Sequence, residues 1–168
     1  MQISMYQASS PRFINSLRNL SVILDKAKTH VETKKIEPTA LIAARLYPDM
    51  YPFARQVQIA CDNAKGAVAR LAGVEAPKHE DTEQTFDELK ARIAKTIAFI
   101  ETVSPAQIDG TEDKDISMKL GPREVRWNGM QYLLGFVAPN FYFHVTTAYD
   151  ILRHNGVELG KRDYIANP

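Results

Sequence analysis

Apolar residues recur at steps of three and four in the first long segment of the chain, a spacing that places them on one side of an α-helix. These positions are Phe13, Leu17, Leu20, Leu24 and Ala27. Pro11 has no amide hydrogen, so it suits a first turn or a kink rather than a regular helix interior. The pattern predicts one long helix, with residues 1–10 as a preceding turn of the same bent helix.

Two further amphipathic segments carry residues that are typical of helix boundaries. The second segment spans residues 53–73, and its apolar stripe consists of Phe53, Val57, Ala60, Cys61, Ala64, Val68 and Leu71. Gly73 stands where helices often end in the left-handed conformation. In the third segment Thr85 and Glu88 have the spacing of a capping box. Ser104 ends that helix, because a residue before proline avoids helical angles.

The connections between these helices are predicted to be irregular, with two exceptions. Prolines at positions 38, 48 and 52 leave room for only a short helical turn over residues 39–45. After the third helix, residues 115–120 alternate between polar and apolar, and Gly121-Pro122 separates them from residues 123–127. That alternation predicts a small β-hairpin. Residues 128–137 are predicted to form a short helix of their own.

The last amphipathic segment is predicted to begin at Pro139 and to end at Gly156, with an irregular tail over residues 157–168. Each of the four long helices has one apolar stripe, and packing the four stripes together buries all of them. The fold expected is therefore an all-α four-helix bundle with a small β-hairpin insertion before the last helix. We expect residues 1–168 to form a single domain.

Composition and charge narrow the classes of function. The 168 residues carry a formal net charge of +1, with no basic patch for nucleic acid or for a membrane surface. No apolar run approaches the roughly 20 residues that cross a bilayer, and residues 1–13 do not resemble a signal peptide. The single cysteine, Cys61, cannot form an internal disulfide. We expect a cytoplasmic protein that binds neither nucleic acid nor membrane.

Asn140 and His144 are the first candidates for chemistry. They are four residues apart in the fourth helix, so they lie on one face of it, close to the predicted core. An imidazole in that position needs a hydrogen-bond partner or a metal ion. It is therefore either a metal ligand or general base, or a histidine at the core edge that is bonded to a neighbouring helix.

Oxygen-bearing side chains offer further candidates. Gln58 and Asp62 flank the apolar stripe of the second helix and could supply metal ligands, or they could form a solvated shoulder. Tyr47 and Tyr51, in the proline-rich sequence LYPDMYP, could line the mouth of a pocket for a small molecule, or could simply cover one end of the bundle.

The remaining histidines and the cysteine are expected to have structural roles. His154 stands at the end of the fourth helix, where a histidine can cap free carbonyls. His30 and His79 are expected to be exposed, and Cys61 to be a small buried apolar residue. The sequence contains no Gly-rich phosphate loop, HExxH, CxxC or GxSxG motif.

The segment FYFHVTTAYDILRHNGVELGK resembles the last helix of the DinB/YfiT-like superfamily, within a branch known only as a domain of unknown function. The segments SMYQASSPRFINSLRNLSVILDKA and YPDMYPFARQVQIACDNAKGAVARLAG, and the closing GKRDYI, resemble the same branch. The resemblance implies an up-down-down-up four-helix bundle, often dimeric. Metal-binding members have one histidine on the second helix and an HxxxH pair on the fourth, and some are thiol-dependent transferases.

His144 matches the second histidine of that pair by its distance from Gly156, whereas Asn140 replaces the first. Gln58 or Asp62 would have to replace the histidine of the second helix, which makes a weak zinc or nickel site. We therefore expect a non-catalytic or small-molecule-binding homodimer with a degraded metal site and no resident cofactor. The alternative is a divalent-metal-dependent (thiol) transferase or hydrolase with His144 as a ligand. A third hypothesis makes Asn140 and His144 a buried hydrogen-bonded pair that fixes helix register.

Overall fold

A computed structural model describes residues 3–165 of the chain. Within these residues the chain forms helices α1 (Met5–Ala8), α2 (Ser10–Lys34), α3 (Pro38–Ile42), α4 (Phe53–Ala72), α5 (Phe86–Glu101) and α6 (Pro105–Ile108), strands β1 (Ile116–Leu120) and β2 (Arg123–Trp127), a π-helix (Gln131–Val137), and helices α7 (Ala138–His154) and α8 (Lys161–Ile165). The long helices α2, α4, α5 and α7 correspond to the four predicted amphipathic segments. None of the helices described is long and apolar enough to cross a membrane.

The ends of the long helices follow from the local sequence. At the start of α5, Glu88 N–H donates to Thr85 Oγ1 at 3.2 Å and Thr85 N–H donates to Glu88 Oε2 at 2.9 Å, which completes the predicted capping box. Gly73 ends α4 with φ at +72°. The bend predicted for the first helix lies at Ser9, whose angles of −118° and −87° separate α1 from α2. Residues 1 and 2, which belong to the same prediction, lie outside the described part.

Ion pairs show that α2 and α5 run in opposite directions. Near the end of α2, Lys28 pairs with Asp87 at the beginning of α5, at 2.8 Å. Near the beginning of α2, Arg18 pairs with Glu101 at the end of α5, at 2.9 Å. These pairs are largely exposed and contribute little to stability, but they fix the relative direction of the two helices.

The other two long helices complete the up-down-down-up order that the resemblance implies. The rings of Phe53 and Phe86, at the beginnings of α4 and α5, have centroids 6.2 Å apart, so these helices are parallel. Helix α7 is antiparallel to α4, because positions later in α4 pair with positions earlier in α7. These pairs are Gln56 with His144 and Asn63 with Asn140. The apolar stripes of all four helices meet in one buried core.

The last long helix begins earlier than predicted. We expected a short helix over residues 128–137 and a new helix from Pro139, but the π-helix runs directly into α7. Pro139 lacks an amide hydrogen and its ring crowds the carbonyl four residues before it. The wider π turn accommodates both effects, and Ala138 N–H bonds Leu133 O, five residues back.

The β-hairpin lies before the last helix, as predicted. Its strands are antiparallel, with Leu120 opposite Arg123 beside the turn. Trp127 at the end of β2 stacks on Phe136 of the π-helix, with ring centroids 5.1 Å apart. This stacking, together with the bond from Met130 N–H to Glu112 O at 2.9 Å, holds the hairpin against the bundle.

The tail is more ordered than predicted, since Lys161–Ile165 forms α8 where we expected irregular chain. Two features stabilise so short a helix. Asp163 accepts a hydrogen bond from Gly160 N–H at 2.8 Å at its start, and Asn19 of α2 donates to Tyr164 O at 3.0 Å and to Ile165 O at 3.1 Å. A cap supplied by a distant helix leaves no pattern in the tail sequence. The last three tail residues, 166–168, lie outside the described part.

We expect Gly129→Ala to destabilise the fold. A Cβ at Gly129 would lie 1.9 Å from the backbone oxygen of Thr111, so the backbone would have to move. Overpacking of this kind costs about 1–3 kcal/mol in the free energy of unfolding, measurable by chemical denaturation. Gly135→Ala is the control, because a Cβ there meets nothing within 4 Å. Equal stability of the two variants would contradict the prediction.

Candidate functional site

Polar side chains line one seam of the bundle, between α4 and α7. His144 Nδ1 lies 2.6 Å from Gln56 Oε1, and both residues are buried. Gln56 Nε2 in turn donates to Tyr51 O at 3.0 Å, which fixes the orientation of the amide. Because Gln56 presents its oxygen to the ring, His144 carries its proton on Nδ1 and donates it. The lone pair therefore resides on Nε2, which has no partner among residues 3–165.

The environment of His144 favours the neutral imidazole. The residue is only 7% exposed. Burial, together with a smaller effect from the positive charge of nearby Arg55, lowers the pKa of the His144 ring from 6.5 to about 4. At neutral pH the ring is therefore an uncharged hydrogen-bond acceptor at Nε2.

Asn140 belongs to the same seam but is not bonded to His144. Asn140 Nδ2 donates to Asn63 Oδ1 on α4 at 3.0 Å. The hypothesis that Asn140 and His144 bond each other is therefore wrong. Two residues on one face of a helix both point towards the neighbouring helix, and here that helix is α4. Each is paired with an amide of α4, and the two pairs together set the register between α4 and α7.

The rim of the seam at His144 is aromatic and cationic. The Phe143 ring meets the His144 ring edge-on at 5.2 Å and is 54% exposed. Tyr51 is 57% exposed, and the Arg55 guanidinium carbon lies 6.0 Å from the centre of its ring. Tyr47, the other predicted tyrosine, is also exposed. This arrangement can bind a small planar molecule, with one acceptor at Nε2 and donors at Arg55.

Gln58 and Asp62 lie in a different network, on the side of α4 that faces α5. Gln58 Nε2 donates to Glu83 Oε2 at 3.0 Å. Asp62 Oδ1 accepts from Arg92 at 2.9 Å and from Lys65 at 2.7 Å. Neither residue is bonded to Asn140 or His144. The sequence predicted either a pair of metal ligands or a solvated shoulder. Neither alternative included the Arg92 guanidinium, which lies between α4 and α5.

Arg92 is the centre of this second network and is only 2% exposed. It pairs with Asp62 of α4 and with two residues of the α4–α5 connection, Asp81 at 2.9 Å and Glu83 at 3.0 Å. A buried guanidinium is tolerated only when acceptors surround it. Ion pairs with Arg92 therefore hold the connection between α4 and α5 against the bundle.

The donor set at the seam does not fit a zinc or nickel centre. Among residues 3–165, no three His, Cys, Asp or Glu side chains are close enough to hold a metal ion. The Gln56 oxygen is engaged by His144, and Asn63 and Asn140 are engaged with each other. Within the described part of the chain this leaves His144 Nε2 and Asn140 Oδ1 without partners at the seam, and one imidazole with one amide oxygen makes a weak site.

The remaining predicted residues are placed as follows. Cys61 is buried as expected, and burial raises the pKa of its thiol to about 12. His154 is exposed at the end of α7, but it is Asn155 Nδ2 that bonds Ile151 O, at 2.8 Å. His30 and His79 are half-buried rather than exposed. Contacts with segments distant in sequence, which their own sequence does not indicate, cover part of each residue.

Two open cavities lie away from His144. One, of about 610 Å³, lies along the outer face of α2 between His30 and Glu158. The other, of about 370 Å³, lies between His79 and Lys95 beside Arg92. Burial lowers the pKa of His79, and Lys65 and Arg92 lower it further.

Sequence reasoning missed Gln56, Asn63, Arg55 and Arg92. A signal existed for two of them. Gln56 follows Phe53 by three residues and precedes Ala60 by four, so it lies on the apolar stripe of its helix. Arg92 likewise follows an apolar residue, Leu89, by three and lies next to Ile93, another member of its own stripe. A polar residue on such a stripe indicates a buried polar contact, although its partner cannot be read from the sequence.

The architecture and the polar seam define a DinB-like helical bundle. The chain is similar to a solved structure, the crystal structure of a DinB family member protein from Shewanella denitrificans, with a TM-score of 0.88 and 41% sequence identity. The alignment covers 97% of this chain and 92% of that chain. A family model described as Domain of unknown function (DUF1993) matches residues 5–165. The chain belongs to the DUF1993 family. No match was found among curated proteins.

We expect His144 to make the protein less stable in acid. Its pKa in the fold, about 4, is below the value of 6.5 for an exposed ring, so between these values the unfolded chain binds more protons. The free energy of unfolding should therefore fall as pH decreases from 7 to 4.5, by about 2–3 kcal/mol for this group.

Denaturant unfolding at several pH values checks this prediction. His144→Gln should lose that part of the pH dependence, whereas His154→Gln, at an exposed position, should keep it. The same slope for wild type and His144→Gln between pH 7 and 4.5 would show that the ring is not the group responsible.

Proposed function

We propose that this chain is a metal-independent protein that binds a small molecule at the His144 end of the α4–α7 seam. One observation supports this above the others. Tyr51 O fixes Gln56 and Gln56 fixes His144, so the imidazole is held in one orientation beside the exposed ring of Phe143. Small-molecule sites combine apolar and aromatic surface with a small number of precisely placed polar groups.

The chemistry of His144 favours binding over catalysis. A general base is most effective when its pKa lies near the working pH. The pKa of His144 is about 4, so the ring is a weak base at neutral pH. The buried thiol of Cys61, with a pKa of about 12, is no better as a nucleophile. We therefore place a non-catalytic role first.

A divalent-metal-dependent transferase or hydrolase is the competing function. Metal-binding histidines usually donate their second ring N–H to an oxygen, as His144 donates to Gln56. His144 Nε2 would then be the first ligand of zinc or nickel. Asn140 Oδ1, which has no partner among residues 3–165, would be the second ligand, and Gln58 or Asp62 would have to leave its present partners to complete the site.

Elemental analysis of tag-free protein, purified without chelator, separates the two functions. We expect far less than one equivalent of zinc or nickel in the wild type, in His144→Ala and in the control His154→Ala. Near-stoichiometric metal in the wild type and in His154→Ala, lost in His144→Ala, would establish the competing function and overturn ours.

We also propose that the protein is a cytoplasmic homodimer. Large side chains with apolar surface remain exposed on the π-helix and on α7, and Leu134 and Tyr142 are among them. Exposed apolar surface of this kind often marks a contact between proteins. The fold uses no disulfide, because Cys61 is the only cysteine, and this suits a reducing compartment.

Sedimentation analysis tests the dimer. We expect a species of twice the 18.9 kDa chain mass in the wild type. Leu134→Lys should shift it towards the monomer, because a charge replaces exposed apolar surface. Val22→Lys, at an equally exposed apolar position on α2, is the control. A wild type that sediments as a monomer at every concentration would contradict the proposal.

A further inference from the structure

Arg55 connects the His144 site to the connection between α4 and α5. Its Nη1 donates to Gln58 Oε1 at 3.3 Å and forms a close ion pair with Asp81 Oδ2. A guanidinium has five N–H donors. The three on Nε and Nη2 have no partner among residues 3–165, and the Arg55 side chain is 36% exposed. Arg55 therefore has donors left for a ligand at the rim of the seam.

Asp81 occupies an anion position on Arg55 but does not depend on it. Its Oδ1 is 2.9 Å from Arg92 Nη2, while Oδ2 faces Arg55. If another carboxylate took the place of Oδ2, Asp81 would remain paired with the buried Arg92. The exchange would leave no carboxylate unpaired, so its cost in free energy is small. Asp81 therefore shows which group Arg55 accepts, a planar carboxylate.

The other walls of the site select the rest of the ligand. The exposed ring of Phe143 offers an apolar face beside His144, and the exposed ring of Tyr51 offers another beside Arg55. Since His144 is neutral, Arg55 supplies the positive charge at this rim, which suits a monoanion rather than a cation. Rings prefer offset or edge-to-face contact with other rings. A molecule with an aromatic ring and one carboxylate would pair with the charge of Arg55 and contact the rings of Tyr51 and Phe143.

We propose that the His144 site binds small aromatic carboxylates, whose carboxylate exchanges with Asp81 on Arg55 while the ring contacts Tyr51 and Phe143. This inference rests on the proposed binding function and names its ligand class. Arg55 determines the preference for a carboxylate. Asp81 of the same chain competes with the ligand for the Arg55 guanidinium.

Calorimetric titration with phenylacetate tests the inference, with phenylacetamide as the neutral isostere and acetate as the anion without a ring, all at constant ionic strength. We expect phenylacetate to bind at least tenfold more tightly than either comparison compound, because a charged hydrogen bond and a ring contact are both needed. The His144 ring signals in NMR should shift during the same titration, which locates the binding.

Two variants and a control make the test specific. Arg55→Gln should weaken phenylacetate binding by about tenfold or more. Asp81→Asn should tighten it about two- to fivefold, the value of one exposed ion pair. Arg18→Gln, which also breaks an exposed ion pair, should change nothing. The unfolding temperature of each variant shows that it folds, and Arg55→Lys, which keeps the charge but not the planar fork, should lie between wild type and Arg55→Gln.

The results separate this inference from the proposed function. Equal binding of phenylacetate and phenylacetamide, lost in His144→Asn, would overturn the carboxylate preference and leave the binding function standing. Phenylacetate binding that is unchanged in Arg55→Gln would overturn the role of Arg55. No binding of phenylacetate to wild type or to Asp81→Asn would overturn the ligand class, whatever other molecules the seam binds.

Discussion

The parallel arrangement of α4 and α5 is the constraint on which much of this structure depends. Two parallel neighbours need a connection that returns along the bundle, and α4 has 20 residues, or about 30 Å of helix. The 13 residues between Ala72 and Phe86 must cover that distance, about two-thirds of the roughly 43 Å that they span when fully extended. A polar segment along the side of the bundle gains little from apolar burial. Charge holds it instead: Arg92 inside the bundle and Arg55 at its edge bind the carboxylates of the connection.

That arrangement explains why the polar residues of α4 serve two different purposes. On one side, Gln58 and Asp62 face the buried guanidinium of α5. On the other, Gln56 and Asn63 face α7 and satisfy His144 and Asn140. Members of the wider superfamily that bind metal were expected to place histidines at such a seam. Here the amides of Gln56 and Asn63 satisfy His144 and Asn140, and a neutral imidazole suits such an amide partner.

The helical architecture could be predicted from the sequence because amphipathic stripes and end signals are local. Thr85 with Glu88 and Gly73 mark helix ends correctly, and the alternation before Gly121 marks the hairpin. The features that could not be predicted depend on contacts between distant segments. Gln56 supplies the oxygen that faces His144. Gln58 and Asp62 were the predicted metal ligands, but they face α5 and the connection before it. Helix α8 exists because Asn19, far away in sequence, caps it.

The π-helix has a consequence for how this fold tolerates changes in length. Each residue in a helix turns the chain by about 100°, so the additional residue in the wide turn determines how the hairpin is rotated relative to α7. Trp127 stacks on Phe136 only in that rotation. A lineage that lost one residue between Gln131 and Val137 would lose the wide turn that accommodates Pro139 and would turn the hairpin away from its aromatic contacts. Insertions and deletions in this segment should therefore be rarer than substitutions, and when they do occur they should accompany changes in the hairpin.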